Sequence, residues 1–261
     1  MKLARVFFII ALMLLASLGL CALQFGGGGF GARQFAVPGD KEEPSEFYFS
    51  RLKYNSFGYR GFRGAWSQDF PRADYDCLVV IRRLTRINAP APLNVVDVDG
   101  DRVFDYPWIY AVGVNTWSFT EEEAKRLRDY LARGGFLMVD HFHGEDDWTR
   151  FMAGMNMVLP DATVEDLPDN DPIYHVLYNI DEKFQIPGEI YVNTGRTYEK
   201  DGFVPRWRGI RDSRGRIIVA ICANMHLGDA WEWANTPEYP EKFSGLAFRV
   251  VINYITYSMS H

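Results

Sequence analysis

Residues 108–140 constrain the fold most tightly, because they read in order as a strand, a capped helix and a second strand. Residues 108–112 are apolar and flanked by turn residues. Thr120 and Glu123 have the spacing of a capping box, in which each residue satisfies a free amide of the other at a helix start. Apolar residues then recur at helical spacing until Gly134, a residue type that commonly ends a helix. This order is typical of a parallel crossover unit, so we predict an α/β fold.

The rest of the body supplies further elements of the same kind. Residues 47–54 alternate aromatic and polar side chains, which indicates a first strand, and residues 216–222 have the apolar pattern of a buried strand. Residues 75–85 fit either a helix or a buried strand. Residues 207–216 contain a glycine turn typical of a hairpin. We therefore predict a three-layer α/β sandwich with a mostly parallel sheet, preceded by an N-terminal hydrophobic helix.

The N-terminus carries a membrane-targeting pattern. Lys2 and Arg5 precede an uncharged apolar run, residues 6–23, which as a helix would span about 27 Å. Positive charges before such a run favour a cytoplasmic N-terminus. We predict that residues 1–25 are a signal-anchor or a signal peptide. A signal-anchor places the protein in the inner membrane as a single-pass protein with its body on the extracytoplasmic side. A cleaved signal peptide makes it an exported or periplasmic protein.

Composition divides the remainder of the chain into two parts. Residues 26–45 begin with a glycine-rich run, which is typical of a flexible tether. Residues 46–261 form the predicted single α/β domain, and the hydrophobic content of the whole chain, 48%, is ample for a core. The net charge is −6 and no long basic run occurs. Because binding to nucleic acid without sequence preference needs a concentrated basic surface, we do not expect nucleic acid as a partner.

Polar residues follow two of the predicted strands. In an open parallel sheet, ligands bind at the carboxyl ends of the strands, so these loops are the candidate ligand-binding site. One loop follows the strand that begins at Phe136, and the other follows Cys222. The candidate residues in the two loops are Asp140, His141, His143, His226 and Asp229.

Two interpretations of these loops remain open at this point. Imidazole and carboxylate groups suit a divalent metal such as zinc or iron, and Asp140, His143 and His226 are the candidate ligands. The spacing matches no recognised metal motif. Alternatively, Asp140 caps the following helix and the histidines are ordinary loop residues. Cys222 lacks the small flanking residues of a nucleophile elbow, so we expect a buried strand cysteine there.

Several short motifs resemble a known family. They are FYFSRLKY at residues 47–54, WSQD at residues 66–69, LARGGFLMVD at residues 131–140 and GDAW at residues 228–231. These motifs resemble the bacterial domain-of-unknown-function family 4159, with His141 standing where members often carry an acid. That family is similar to class I glutamine amidotransferase-like and trehalose-utilisation-like folds. The resemblance implies a flavodoxin-like sandwich in a membrane-anchored protein, without the amidotransferase cysteine.

The features leave two function classes open. The anchor and the missing cysteine nucleophile favour a ligand-binding or assembly module that contacts the membrane through its N-terminal helix and a protein partner in the cell envelope. The polar loops favour a metal-assisted hydrolase acting on a carbohydrate-derived substrate. Whether the protein is an enzyme is undecided at this point.

We predict that the full-length protein fractionates with membranes, because residues 6–23 partition into the hydrocarbon core. A variant that lacks residues 1–31 should appear in the soluble fraction in folded form. Fractionation with immunodetection measures both. Intact full-length protein in the cytosol would contradict the anchor.

Overall fold

The computed structural model describes residues 45–57, 64–90 and 93–261. They lie within one compact unit, Ala36–His261. The predicted hydrophobic helix and nearly all of the predicted tether lie outside the described residues. Within the described part of the chain, no helix is both long enough and apolar enough to cross a bilayer.

One seven-stranded sheet organises the described unit. In chain order its strands are β1 (Ser50–Lys53), β2 (Asn94–Asp97), β3 (Trp108–Val112), β4 (Phe136–Asp140), β5 (Val164–Asp166), β6 (Arg206–Arg211) and β7 (Ile217–Ala223). Their order across the sheet is β2-β1-β3-β4-β7-β6-β5. Neighbours from β2 to β7 run parallel, whereas β6 and β5 form an antiparallel edge. The prediction of an α/β fold with a mostly parallel sheet is confirmed.

Within the described residues, six α-helices accompany the sheet. They are α1 (Arg72–Leu84), α2 (Glu121–Ala132), α3 (Gly144–Val158), α4 (Ile190–Thr194), α5 (Leu227–Glu232) and α6 (Glu241–Ser260). The region that periodicity left open, residues 75–85, lies almost entirely in α1. Ala73, Cys77 and Ile81 are all buried at a spacing of four residues, which is a helical period and places one side of α1 in the core.

The predicted capping box at the start of α2 is confirmed. The Glu123 amide donates to Thr120 Oγ1 at 3.2 Å, and the Thr120 amide donates to the Glu123 carboxylate at 2.6 Å. Glu123 also accepts a hydrogen bond from the Asn55 side-chain amide at 3.0 Å, which ties the helix start to the segment after β1. At the other end, Gly134 has a φ of +105°, a conformation that glycine adopts without strain.

The two faces of the sheet are both covered. Along β3, Ile109 points to a core cluster that contains Leu127 of α2 and Phe151 of α3. The adjacent residue Tyr110 points to the opposite face, where its ring lies 5.2 Å from that of Trp231 of α5. Since successive strand residues alternate between faces, β3 is buried on both sides, as parallel strands usually are.

The predicted hairpin joins β6 to β7. The Asp212 amide donates to the Arg216 carbonyl at 2.8 Å, and Asp212 Oδ1 accepts from the Arg214 amide at 2.8 Å. Cys222 in β7 is fully buried, and burial raises the pKa of its thiol well above the usual value. It is a core cysteine, as the sequence indicated, because a nucleophile needs an accessible thiolate.

We predict that Thr120→Ala lowers the free energy of unfolding by about 1 kcal/mol, because the first turn of α2 loses its cap. Leu127→Ala should cost about 2–5 kcal/mol, since this side chain is completely buried. Glu122→Ala, on the exposed side of the same turn, is the control and should change stability by less than about 0.5 kcal/mol. Urea unfolding measures all three, and equal values for Leu127→Ala and the control would contradict the packing of α2.

Candidate metal centre

The two polar loops leave the same edge of the sheet. Strands β4 and β7 are parallel neighbours, and Asp140, the last residue of β4, pairs with Cys222. His141 follows β4 directly, and His226 comes three residues after the end of β7. Loops that follow adjacent parallel strands open on one side, so the structure brings the candidate residues of both loops together.

Asp140 connects the two loops rather than facing an open space. Its Oδ2 atom accepts hydrogen bonds from the amides of Leu227 and Gly228 at 2.7 and 3.1 Å and from the Tyr110 hydroxyl at 3.1 Å. Burial raises the pKa of this carboxyl to about 6, although His141 and the amides oppose the shift. Asp140 therefore caps α5, not the helix that follows it in the chain, and it positions His226.

Three donor atoms from the two loops surround one point. His141 Nδ1 lies 3.1 Å from His226 Nδ1 and 3.7 Å from Asp229 Oδ1, and the last two atoms are 3.8 Å apart. The point equidistant from the corners of this triangle is about 2.1 Å from each, which is the bond length of zinc to nitrogen or oxygen ligands. Each residue can supply one metal ligand.

The buried carboxylate of Asp229 is suited to bind a metal ion. The residue is 7% exposed, and its Oδ1 atom accepts no hydrogen bond. Its Oδ2 atom accepts the Glu189 amide at 2.8 Å, which fixes the carboxylate plane. Burial and the nearby Asp69 raise the pKa of Asp229 to about 7. A buried carboxylate oxygen without a partner is costly; a proton shared with Asp69 would satisfy it without an ion, and a cation at the equidistant point would take the place of that proton.

Asp69 approaches the same point from the segment before α1. Its Oδ2 atom lies 3.4 Å from His141 Nδ1. Burial opposes ionisation of Asp69, but His141 and Arg51 outweigh it and hold the pKa at about 2. Arg51 is itself buried and bonded to Asp74, and it donates to the carbonyl of Gln68 at 3.0 Å. The guanidinium therefore anchors the backbone beside Asp69.

The far side of His226 has its own partner. His226 Nε2 lies 3.1 Å from Glu199 Oε1. The hydrogen bond from His226 lowers the pKa of Glu199 below its usual range. A proton on Nε2 leaves Nδ1 as a lone pair that faces His141 and Asp229. Such carboxylate–histidine pairs orient the imidazole in many metal sites.

His143, a predicted ligand, lies beside these three residues and forms a second group of possible metal donors with Glu199 and His226. Its ring stacks on that of His226, with centroids 4.2 Å apart and planes 26° apart. A metal lies in the plane of each ligating imidazole, so two stacked rings face one ion poorly, whereas the His141 and His226 planes cross at 84°. Both His143 nitrogens are buried without hydrogen bonds, and burial lowers its pKa well below the usual value. The prediction of His143 as a ligand is thus less well supported than that of His226.

A cleft of about 460 Å³ opens onto the donor atoms. His141, His226 and Asp229 line it together with Asp69. The other described residues that line it are Gln68, Glu189, Ile190, Asn193 and Glu199. The cleft therefore lies directly beside the residues that carry the three donor atoms.

Backbone strain concentrates around the same loops. Four described residues other than glycine have a positive φ, and they are Asp69, His141, Lys200 and Asn224. His141 carries one of the three donor atoms, and Asp69 lies beside it. Lys200 adjoins Glu199, and Asn224 lies two residues before His226. Positive φ values are uncommon outside glycine and tend to gather at functional sites.

The sequence patterns did not identify Asp69 or Glu199 as residues of the candidate site. Asp69 lies about 70 residues before the histidine loop, and Glu199 lies in a segment between α4 and β6 without regular structure. The WSQD motif at residues 66–69 was a usable signal for Asp69, since a polar group beside a turn often carries function. No local pattern distinguishes Glu199.

The comparisons with known proteins place the chain in one family. The comparison with curated proteins found no match. The family model described as Domain of unknown function (DUF4159) matches residues 48–259, which include all seven strands and all of the helices described above except the last residue of α6. The chain therefore belongs to the DUF4159 family.

Proposed function

We propose that this protein is a metal-dependent hydrolase, with a divalent cation held by His141, His226 and Asp229. The observation that carries the proposal is the triangle of donor atoms, whose equidistant point is about 2.1 Å from each. Two histidines and one carboxylate are a common ligand set of catalytic zinc, which keeps its fourth position for water. The cleft above the triangle provides room for that water and for a substrate.

The residues around the ion have distinct tasks in this proposal. Bound zinc supplies an electrophile and lowers the pKa of its water. Asp69 lines the same cleft and its Oδ2 atom lies 3.4 Å from His141 Nδ1, so its carboxylate adds negative charge beside the ion. Glu199 keeps the His226 imidazole in the tautomer that presents Nδ1. Asp140 holds the start of α5, and with it the position of His226.

The finer fold assignment belongs to the same proposal. The parallel strands follow the order β2-β1-β3-β4-β7, which corresponds to the flavodoxin-like order. This order and the helices on both faces support a three-layer flavodoxin-like sandwich, related to the amidotransferase-like folds. The buried thiol of Cys222 supports a chemistry other than glutamine amide transfer.

The second candidate is a membrane-tethered ligand-binding or assembly module, and the apolar run at residues 6–23 favours it. The two candidates share the location, the inner membrane with the body outside the cytoplasm. They differ in chemistry, because a binding module needs the cation only to hold a ligand. Hydrolysis of p-nitrophenyl acetate or p-nitrophenyl glycosides, abolished by chelation, would support the hydrolase.

We predict that the full-length protein binds one zinc ion per chain. His141→Ala, His226→Ala and Asp229→Asn should each weaken zinc binding at least about 100-fold, because each removes a ligand. Mass spectrometry of the purified protein and competition with a chromophoric chelator measure stoichiometry and affinity.

The control for this prediction is His175→Ala. His175 lies outside the cluster, where its ring contacts Asn179 and the Asp169 carbonyl. This variant should bind zinc with unchanged affinity. Equal affinity in the three cluster variants and in the control, with all four folded by circular dichroism, would contradict the proposed ligands.

We also predict that zinc affinity rises with pH. Burial alone would lower the pKa of His141, but Asp69 and Asp229 outweigh it and raise the value to about 9. Below that pH the ion must displace a proton from Nδ1, so affinity should increase about tenfold per pH unit. Chelator competition between about pH 6 and pH 8 measures the slope. A flat profile would contradict ligation by His141.

A further inference from the structure

The walls of the cleft carry an excess of acidic groups. Four carboxyl groups line it, from Asp69, Glu189, Glu199 and Asp229. The other lining side chains are two imidazoles, two amides and one isoleucine. Carboxylates accept hydrogen bonds and donate none, so a complementary ligand is rich in donors.

The cleft keeps an excess of negative charge when the proposed cation is present. A divalent ion offsets two of the four carboxylates, and its histidine ligands are neutral when they bind it. The cleft wall formed by the described residues then keeps a charge of about −2. A concave, partly desolvated surface of one sign concentrates ligands of the opposite sign and repels those of the same sign.

Glu189 is the carboxylate best placed to contact a substrate. Its amide donates to Asp229 Oδ2 at 2.8 Å, which fixes its backbone beside a proposed metal ligand. Its side chain is exposed at the cleft and is not bonded to another residue in the described part of the structure. Asp69, Asp229 and Glu199 already contact His141 or His226, so Glu189 is free to pair with a ligand.

Close packing beneath Glu189 fixes this position further. A Cβ atom added at Gly188 would lie 2.4 Å from Asp229 Oδ2 and 3.0 Å from the His226 ring. The backbone before Glu189 therefore lies directly against two of the proposed metal ligands. Glu189 and the proposed ligands thus line the same cleft, with the Glu189 backbone held against Asp229.

We propose that the substrate carries an ammonium group beside the bond that is hydrolysed, with Glu189 as the residue that pairs with it. This inference rests on the proposed hydrolase site. It names a substrate class, that of small amines with neighbouring hydroxyl or amide donors. The charge of the cleft disfavours phosphate esters and carboxylates.

Three sugars of equal size and different charge test the inference. Glucosamine carries an ammonium group, glucose is neutral and glucuronate is an anion. With the full-length protein loaded with Co²⁺, paramagnetic relaxation of the sugar protons reports binding next to the ion. Glucosamine should bind about tenfold more tightly than glucose, a difference of roughly 1.4 kcal/mol, and glucuronate should bind most weakly.

Variants assign the preference to Glu189. Glu189→Gln keeps the backbone hydrogen bond to Asp229 and should reduce the preference for glucosamine to less than about threefold. Glu182→Gln, at an exposed residue outside the cleft, is the matched control and should leave the preference unchanged. Added salt should weaken glucosamine binding and leave glucose binding unaffected.

The outcomes separate the two proposals. Failure to bind cobalt would overturn the proposed metal centre. Bound cobalt with equal relaxation of the three sugars, or with glucuronate preferred, would overturn only the ammonium inference. A preference for glucosamine that survives Glu189→Gln would also overturn it, since another group would then be responsible.

Discussion

The parallel pairing of β4 with β7 is the constraint on which the candidate site depends. Because Asp140 pairs with Cys222, the loops after both strands leave one edge of the sheet side by side. The Asp140 carboxylate then joins them by accepting the amides of Leu227 and Gly228. A register shift of one residue would turn Asp140 to the opposite face and separate His141 from His226. The geometry of the donor atoms thus follows from sheet register before any contact between the histidines.

Electrostatic competition organises the residues at that edge. Asp69 and Asp229 are two buried carboxyl groups near one imidazole, and their pKa values separate to about 2 and about 7. Two carboxyl groups in one site cannot both ionise easily unless a cation lies between them. In the absence of an ion, His141 supplies that cation as an imidazolium, with its pKa raised to about 9. A proton and a metal therefore compete for one position, and the same carboxylates stabilise either.

Much of the fold follows from local patterns in the sequence, and part of the site does not. The capping box of Thr120 and the apolar run Trp108–Val112 are short-range signals, and both predicted their elements correctly. The convergence of the two loops follows from parallel topology alone. Asp69 and Glu199 reach the cluster from distant segments, held by side-chain contacts such as that of Arg51 with the Gln68 carbonyl. Contacts of this kind leave no periodic signal, so sequence patterns do not reveal them.

The positive φ values of Asp69 and His141 have a consequence for how the sequence can vary. Glycine at either position would relieve the backbone, since it has no Cβ to clash with neighbouring carbonyls. Glycine at His141 would also delete a proposed metal ligand, and glycine at Asp69 would delete the carboxylate beside it. Selection for stability alone would therefore favour glycine over aspartate and histidine at these positions. Aspartate and histidine in a left-handed conformation therefore indicate that the chain accepts backbone strain, and some loss of stability, to keep functional side chains in place.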